Sequence, residues 1–193
     1  MDMSDFQVAI EHLPPGYAVY VALFTDVKNA AFLQQQLIAR NPAFEYALVD
    51  AATVVSPTHL LAAVYRAVIA HQSETLKTPN VHSETVLSLS PSLNIAEAYR
   101  RYGISAETKN VLVVKILLDG ASPAAVWEHL AANVEGTAVP LSNTAALARC
   151  TDLARVRKYY KLNGVASLTK GTEEAQRKEA EVLVLGAMAL RGL

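Results

Sequence analysis

Between Asn110 and Leu118 the chain reads Asn-Val-Leu-Val-Val-Lys-Ile-Leu-Leu, an apolar run broken once, by Lys115. A strand of this kind has no polar face to offer water, so both of its faces must be covered and it belongs inside a sheet. A second run answers it. Tyr17 to Phe24, apolar and rich in β-branched residues, follows the breaker Pro14-Pro15-Gly16 and reads as another buried strand.

Helices must supply the cover. Thr25 or Asp26 is placed to cap a helix running to about Ala39, which Asn41-Pro42 ends. Tyr46 to Val49 reads as a short strand, and Ser56-Pro57 then gives an N-cap followed by proline, predicting a helix from Thr58 to about His71. Ser73 to Val81 carries polar and breaker residues and reads as an exposed loop. A short helix over Ser83 to Leu89 follows, with Ser83 as its cap; Asn94 and Glu97 form a capping-box-like start for the next, and Gly103 closes that one at C′. Asp119-Gly120 reads as a turn, Ser122-Pro123 opens a helix to about Asn133, and Thr137 to Leu141 is a short strand. Two smaller helical segments, a basic stretch from Arg155 to Lys161 and a last helix capped by Thr172 complete the chain. The fold expected is α/β in the α+β sense, a small mixed sheet packed with several helices in one domain over residues 1–193.

With 193 residues, 52% of them hydrophobic and 18% charged, the chain can bury a sizeable core. Its 17 basic and 18 acidic residues give a net charge of −1, which excludes a basic coat for duplex nucleic acid. A single cysteine, Cys150, permits no internal disulfide and fits a reducing compartment. The start, Met-Asp-Met-Ser-Asp, does not resemble a secretory signal, and no apolar run approaches the ~20 residues that span a bilayer. An intracellular protein without membrane contact is expected.

Catalytic patterns are scarce. The turn after the first strand, Thr25-Asp26-Val27-Lys28-Asn29, has no glycine with which to cradle a phosphate. The histidines, His12, His59, His71, His82 and His129, form no i,i+4 pair and no metal signature. His82 beside Ser83 and Glu84, with Cys150 or a carboxylate as its partner, is the arrangement that suggests a small hydrolase or transferase, and with Cys150 it requires the two residues to meet in the fold. The cations form two clusters, Lys77, Arg100 and Arg101, then Arg149, Arg155, Arg157, Lys158 and Lys161. These read either as solvated surface or, with aromatics such as Tyr65, as a contact for a single nucleic-acid strand. From Val182 to Leu190 the last helix is apolar on every side, so it is either sunk in the core or docked against a partner.

Several strings together carry a resemblance. Phe24-Thr25-Asp26-Val27-Lys28-Asn29-Ala30 is one; His82-Ser83-Glu84 through Leu89-Ser90-Pro91, Asn94-Ile95 and Tyr102-Gly103-Ile104-Ser105 form a second block; Tyr160-Lys161-Leu162 is a third. Over residues 19 to 190 the sequence resembles the small kinase-binding subunit of the KEOPS (EKC) complex, the PRPK-binding-protein family, and Asn80-Val81-His82-Ser83-Glu84 looks fungal. The resemblance implies a non-catalytic subunit, without cofactor, that binds the complex's small atypical kinase/ATPase and meets the other subunits indirectly. It implies recruitment of tRNA by its 3′ CCA end for threonylcarbamoyladenosine modification, a link to telomere maintenance, and residence in cytoplasm and nucleus. On that footing the kinase-binding residues are Val184, Leu185, Met188 and Leu190, and the tRNA-binding residues Lys77, Asn80, His82 and Glu84. Pro79 stands where the family commonly has a cation, and Leu93 where it often has an asparagine. A stand-alone single-strand binder is the alternative.

Overall fold

A computed structural model describes residues 3–118 and 122–191; the turn expected at Asp119-Gly120 lies outside them. The elements run β1 (Gln7–Val8), β2 (Tyr17–Thr25), α1 (Ala30–Ile38), β3 (Ala47–Asp50), α2 (Pro57–Gln72), α3 (Val81–Leu89), α4 (Ile95–Tyr102), β4 (Val111–Leu118), α5 (Pro123–Asn133), β5 (Thr137–Pro140), α6 (Thr144–Cys150), α7 (Leu153–Tyr159) and α8 (Glu173–Ala189). The α/β expectation holds. The sheet, however, is antiparallel throughout rather than mixed, in the order β1-β2-β4-β3 with β5 also on β2. The reason lies in the connection from β3 to β4: Asp50 pairs with Val111, so α2, α3 and α4 leave and return at the same end of the sheet.

The two apolar runs pair along their whole lengths, Tyr17 opposite Leu118 through Phe24 opposite Val111. Alternation then sorts their side chains. Val19, Val21, Leu23, Leu112, Val114 and Ile116 join a core under α2, α3, α7 and α8. Tyr20, Ala22, Phe24, Val111, Val113 and Leu117 join a second core under α1 and α5. Lys115 falls on the second side, at the point where β3 has ended; its Nζ donates to the Glu45 carbonyl (2.7 Å) and lies 5.0 Å from the centre of the Tyr46 ring.

Helix starts follow their caps, with three corrections, the first being Ser122, which precedes α5 but makes no side-chain capping bond. Ser56, Asn94 and Thr172 accept from the N–H three residues on, as their sequence contexts predict. Thr25 and Asp26 cap nothing, because the segment after β2 is held across the sheet end: Val27 N–H donates to the Lys109 carbonyl and Lys28 N–H to that of Glu135, so α1 starts only at Ala30. The helix expected from Ser83 begins two residues earlier, with Asn80 as its cap. Gly103 ends α4 with an ordinary φ of −70° rather than a left-handed one. What requires glycine there is proximity, since a Cβ would lie 2.6 Å from the Tyr99 carbonyl oxygen.

Candidate functional site

Two surfaces stand out, one at the start of α3 and one along α8. Eight of the nine side chains in α3 are buried, polar ones included. His82 Nε2 accepts the Ile116 N–H (3.0 Å), capping the stretch of β4 that β3 does not reach. The proton therefore sits on Nδ1, 3.3 Å from Glu45 Oε1. Burial, with the Lys115 charge nearby, pushes the imidazole down to about 3, so it is neutral at physiological pH. Glu84, 3% exposed, has one carboxylate oxygen that accepts from Lys77 N–H (2.9 Å), Thr78 N–H (3.0 Å) and Thr78 Oγ1 (2.8 Å). It pins the loop before the helix to the helix itself.

Outside that wall lies a cleft of about 450 Å³ between the end of α1, the Asn41–Tyr46 segment, the 78–80 loop and α4. A second cleft of about 340 Å³ continues along the free edge of β4, and Glu45, Pro79 and Asn80 line both. Of the expected tRNA-binding residues, Asn80 lines both clefts, His82 lines the second, and Lys77 is exposed between Leu76 and Thr78, which line one cleft each. The structure thus gathers the four residues at one place, with Glu84 inside the wall.

Sequence reasoning missed Arg40, Ser83 and Tyr99, which also line the first cleft. Arg40 has φ +52°, its N–H donating to the Leu37 carbonyl and the Asn41 N–H to that of Gln36. This is a helix-ending turn whose left-handed position favours glycine, and here it carries an exposed cation. Its only sequence signal is the Asn41-Pro42 stop that follows.

The α8 surface is sorted by angle. Ala180, Val184 and Met188 are buried in the first core, while Val182 is 67% and Leu190 65% exposed. Leu185 is half-buried, and Gly186 borders open space. Of the four expected kinase-binding residues, Val184 and Met188 therefore face inward and only Leu190 is well exposed, with Val182 the exposed residue the sequence reading passed over.

The other chemistry is internal. His59, wholly buried and pushed down to about 3 by that burial, accepts the Val55 N–H on Nδ1 and so carries its proton on Nε2, toward the Tyr160 hydroxyl (2.8 Å). Cys150 has its thiol pushed up by burial, the opposite of an activated nucleophile. Both ring nitrogens of His82 are occupied, by Ile116 and Glu45, so His82 is not free to act as the base for that thiol. Many basic residues are likewise engaged: Arg155 with Asp50 (2.8 Å), Arg157 with the Leu168 carbonyl, and Arg101 with Glu97 and the Tyr159 carbonyl. Tyr65 is half-buried on α2. Among the described residues no group of three or more His, Cys, Asp or Glu is placed to hold a metal ion, and no helix is long and apolar enough to cross a membrane.

Comparison with known proteins adds a family. The model of the kinase binding protein CGI-121 family matches residues 24–192. The chain is similar to the EKC/KEOPS complex subunit CGI121 of Gibberella zeae, 54% identical over 96% of this chain and 98% of that protein. It is likewise similar to the subunit of the same name from Neurospora crassa, 50% identical over 95% of this chain and 97% of that one. The Schizosaccharomyces pombe protein is 36% identical over 77% and 84%.

Proposed function

This chain belongs to the kinase-binding CGI-121 family, and from that premise we propose that it is a non-catalytic subunit of an EKC/KEOPS complex that docks the complex's small kinase/ATPase and recruits tRNA by its 3′ end for threonylcarbamoyladenosine modification. It acts as one folded unit, in cytoplasm and nucleus, and shares the complex's link to telomere maintenance. The observation that carries this reading is the likeness to EKC/KEOPS subunits over nearly the whole length of both chains.

The two surfaces divide the work. On α8, Val182 and Leu190 are bare while Gly186 leaves room for a partner's backbone to approach, a combination suited to an apolar docking face. The α3 cleft offers the Arg40 cation, the Asn80 amide, the Ser83 hydroxyl and the Tyr99 ring, a set that suits phosphate and base of a short single strand. Lys77 adds a cation at its rim, and His82 and Glu84 hold the wall in shape.

The test is co-elution with the same organism's complex kinase on size-exclusion chromatography with light scattering, wild type beside Val182→Glu. A 1:1 complex formed by the wild type and lost in the variant is expected. Binding unaffected by Val182→Glu removes this face of α8 from the interface. Absence of any wild-type complex at micromolar concentration defeats the kinase reading and leaves a stand-alone single-strand binder.

A further inference from the structure

α3 lies between these two surfaces, and each of its ends is tied to one of them. At its start, Glu84 clasps the 77–78 segment while Asn80 and Ser83 face the cleft. At its end, the Arg191 guanidinium, only 8% exposed, donates to the carbonyls of Leu87 and Ser90. Arg191 follows α8 after its C-cap Leu190, and the helix end is also held by Arg66, donating to the carbonyls of Met188 (2.6 Å) and Arg191 (3.4 Å).

Nine helical residues span roughly 13 Å at 1.5 Å each. With eight side chains packed, such a helix moves as a body rather than by bending. The charges at its ends also match its dipole, a carboxylate in the first turn and a cation at the last carbonyls. Arg191 is held in an uneasy seat. Burial and the like charge of Arg66 work against its guanidinium, and Glu84 is foremost among the groups that favour it. What holds Glu84 in place therefore also favours the seated Arg191, and with it the last turn of α8.

We propose that α3 makes the two surfaces interdependent: nucleic acid in the cleft and kinase on the outer face of α8 each raise the chain's affinity for the other, through Glu84 clasped at one end of the helix and Arg191 seated at the other. The proposal rests on the functional reading above and adds the regulation of its two sites. The two states are Arg191 seated, with the last turn of α8 fixed, and Arg191 withdrawn, with that turn loosened. A ligand that immobilises the 78–80 loop favours the first, a partner docked on Leu190 favours the same state, and by linkage the two effects are equal.

The experiment is a titration of the full chain with its kinase, with and without a saturating acceptor-stem minihelix ending in single-stranded CCA. In the wild type the kinase dissociation constant is expected to fall about fivefold or more when the minihelix is present. In Arg191→Met, which keeps an apolar stem and removes the charge, the ratio is expected to fall to one. A second readout needs no variant: amide exchange at Gly186 to Leu190 slows when the minihelix binds without kinase. Equal kinase affinity with and without the minihelix, both binary complexes having formed, overturns the coupling and leaves the functional reading intact. A ratio retained in Arg191→Met overturns the Arg191 route and assigns the effect to direct contact between minihelix and kinase. Absence of either binary complex defeats the functional reading and the coupling with it.

Discussion

α3 and α8 break the rule of apolar inside and polar outside in opposite senses. In α3 a histidine, a glutamate, a threonine and a serine are buried beside valines and leucines; in α8 and its C-cap a valine and a leucine stand in water. Each exception has its own cause. Three of the polar groups of α3 are taken inside because specific partners answer them: His82 completes a sheet edge, Glu84 collects three donors, and Thr85 bonds back to the Val81 carbonyl (2.9 Å), while the small Ser88 hydroxyl is buried without a partner. The apolar groups of α8 stay outside because α2 and the turn at residues 166–169 cover only one side of it, the side of Val184 and Met188. A buried polar group thus marks what the fold needs, and an exposed apolar one marks what a partner is free to use.

The contrast breaks most sharply at neighbouring positions on α8. Val184→Glu puts a carboxylate among buried valines and leucines and is expected to cost about 4 kcal/mol or more, enough to unfold much of the protein. Val182→Glu, two residues away and exposed, is expected to change stability by about 0.5 kcal/mol at most. Thermal melts of the pair decide it. Similar melting temperatures would mean that the burial assigned to α8 is wrong.

Acid tests the buried histidines. His59 and His82 are held near 3 against an unfolded value of about 6.5, so the unfolded chain takes up protons that the folded one refuses. Stability is therefore full above about pH 6.5 and lost as pH falls toward 3, with these two groups contributing a slope of up to about 2.7 kcal/mol per pH unit. In His82→Gln their contribution should be about halved. Denaturant titrations between pH 7 and 4 would read the slope, and a flat profile would show that neither ring is buried neutral.

Glu84→Ala strands two N–H groups and leaves the Thr78 hydroxyl only the Asn80 carbonyl (3.1 Å), and a loss of about 2–4 kcal/mol is expected. Glu84→Gln, which keeps an acceptor, should cost clearly less. Equal losses would mean that the carboxylate does not clasp the loop.

The smallest effect concerns Arg40. Replacing it with glycine should stabilise the chain by roughly 0.5–1 kcal/mol by relieving its left-handed backbone, while RNA binding weakens and its dependence on salt flattens. Stability gained with RNA binding unchanged would make Arg40 a strained residue without a role in the cleft.

Much of the frame was readable in the residues. The pairing of β2 with β4 follows from two apolar runs that each need cover on both faces, and the helix starts at Pro57, Ile95 and Glu173 follow from the caps before them. Family strings around His82 and Tyr160 were equally legible, and the cluster of Lys77, Asn80, His82 and Glu84 does assemble. Arg40 was not legible, since nothing local reveals that a non-glycine residue takes a left-handed turn or that the end of α1 meets the 78–80 loop.

Composition, periodicity and caps determined that this chain forms an α/β fold around a buried strand pair, because those signals act between residues close in sequence or through a repeating pattern. Only the tertiary structure decided which side of α8 stays bare, that Glu84 and His82 turn inward, and that Arg191 closes the end of α3. Those outcomes depend on groups far along the chain: Ile116 for His82, Leu87 for Arg191, and the length of α2 that reaches α8. A helical period tells which residues share a face, but only packing settles which face meets the core.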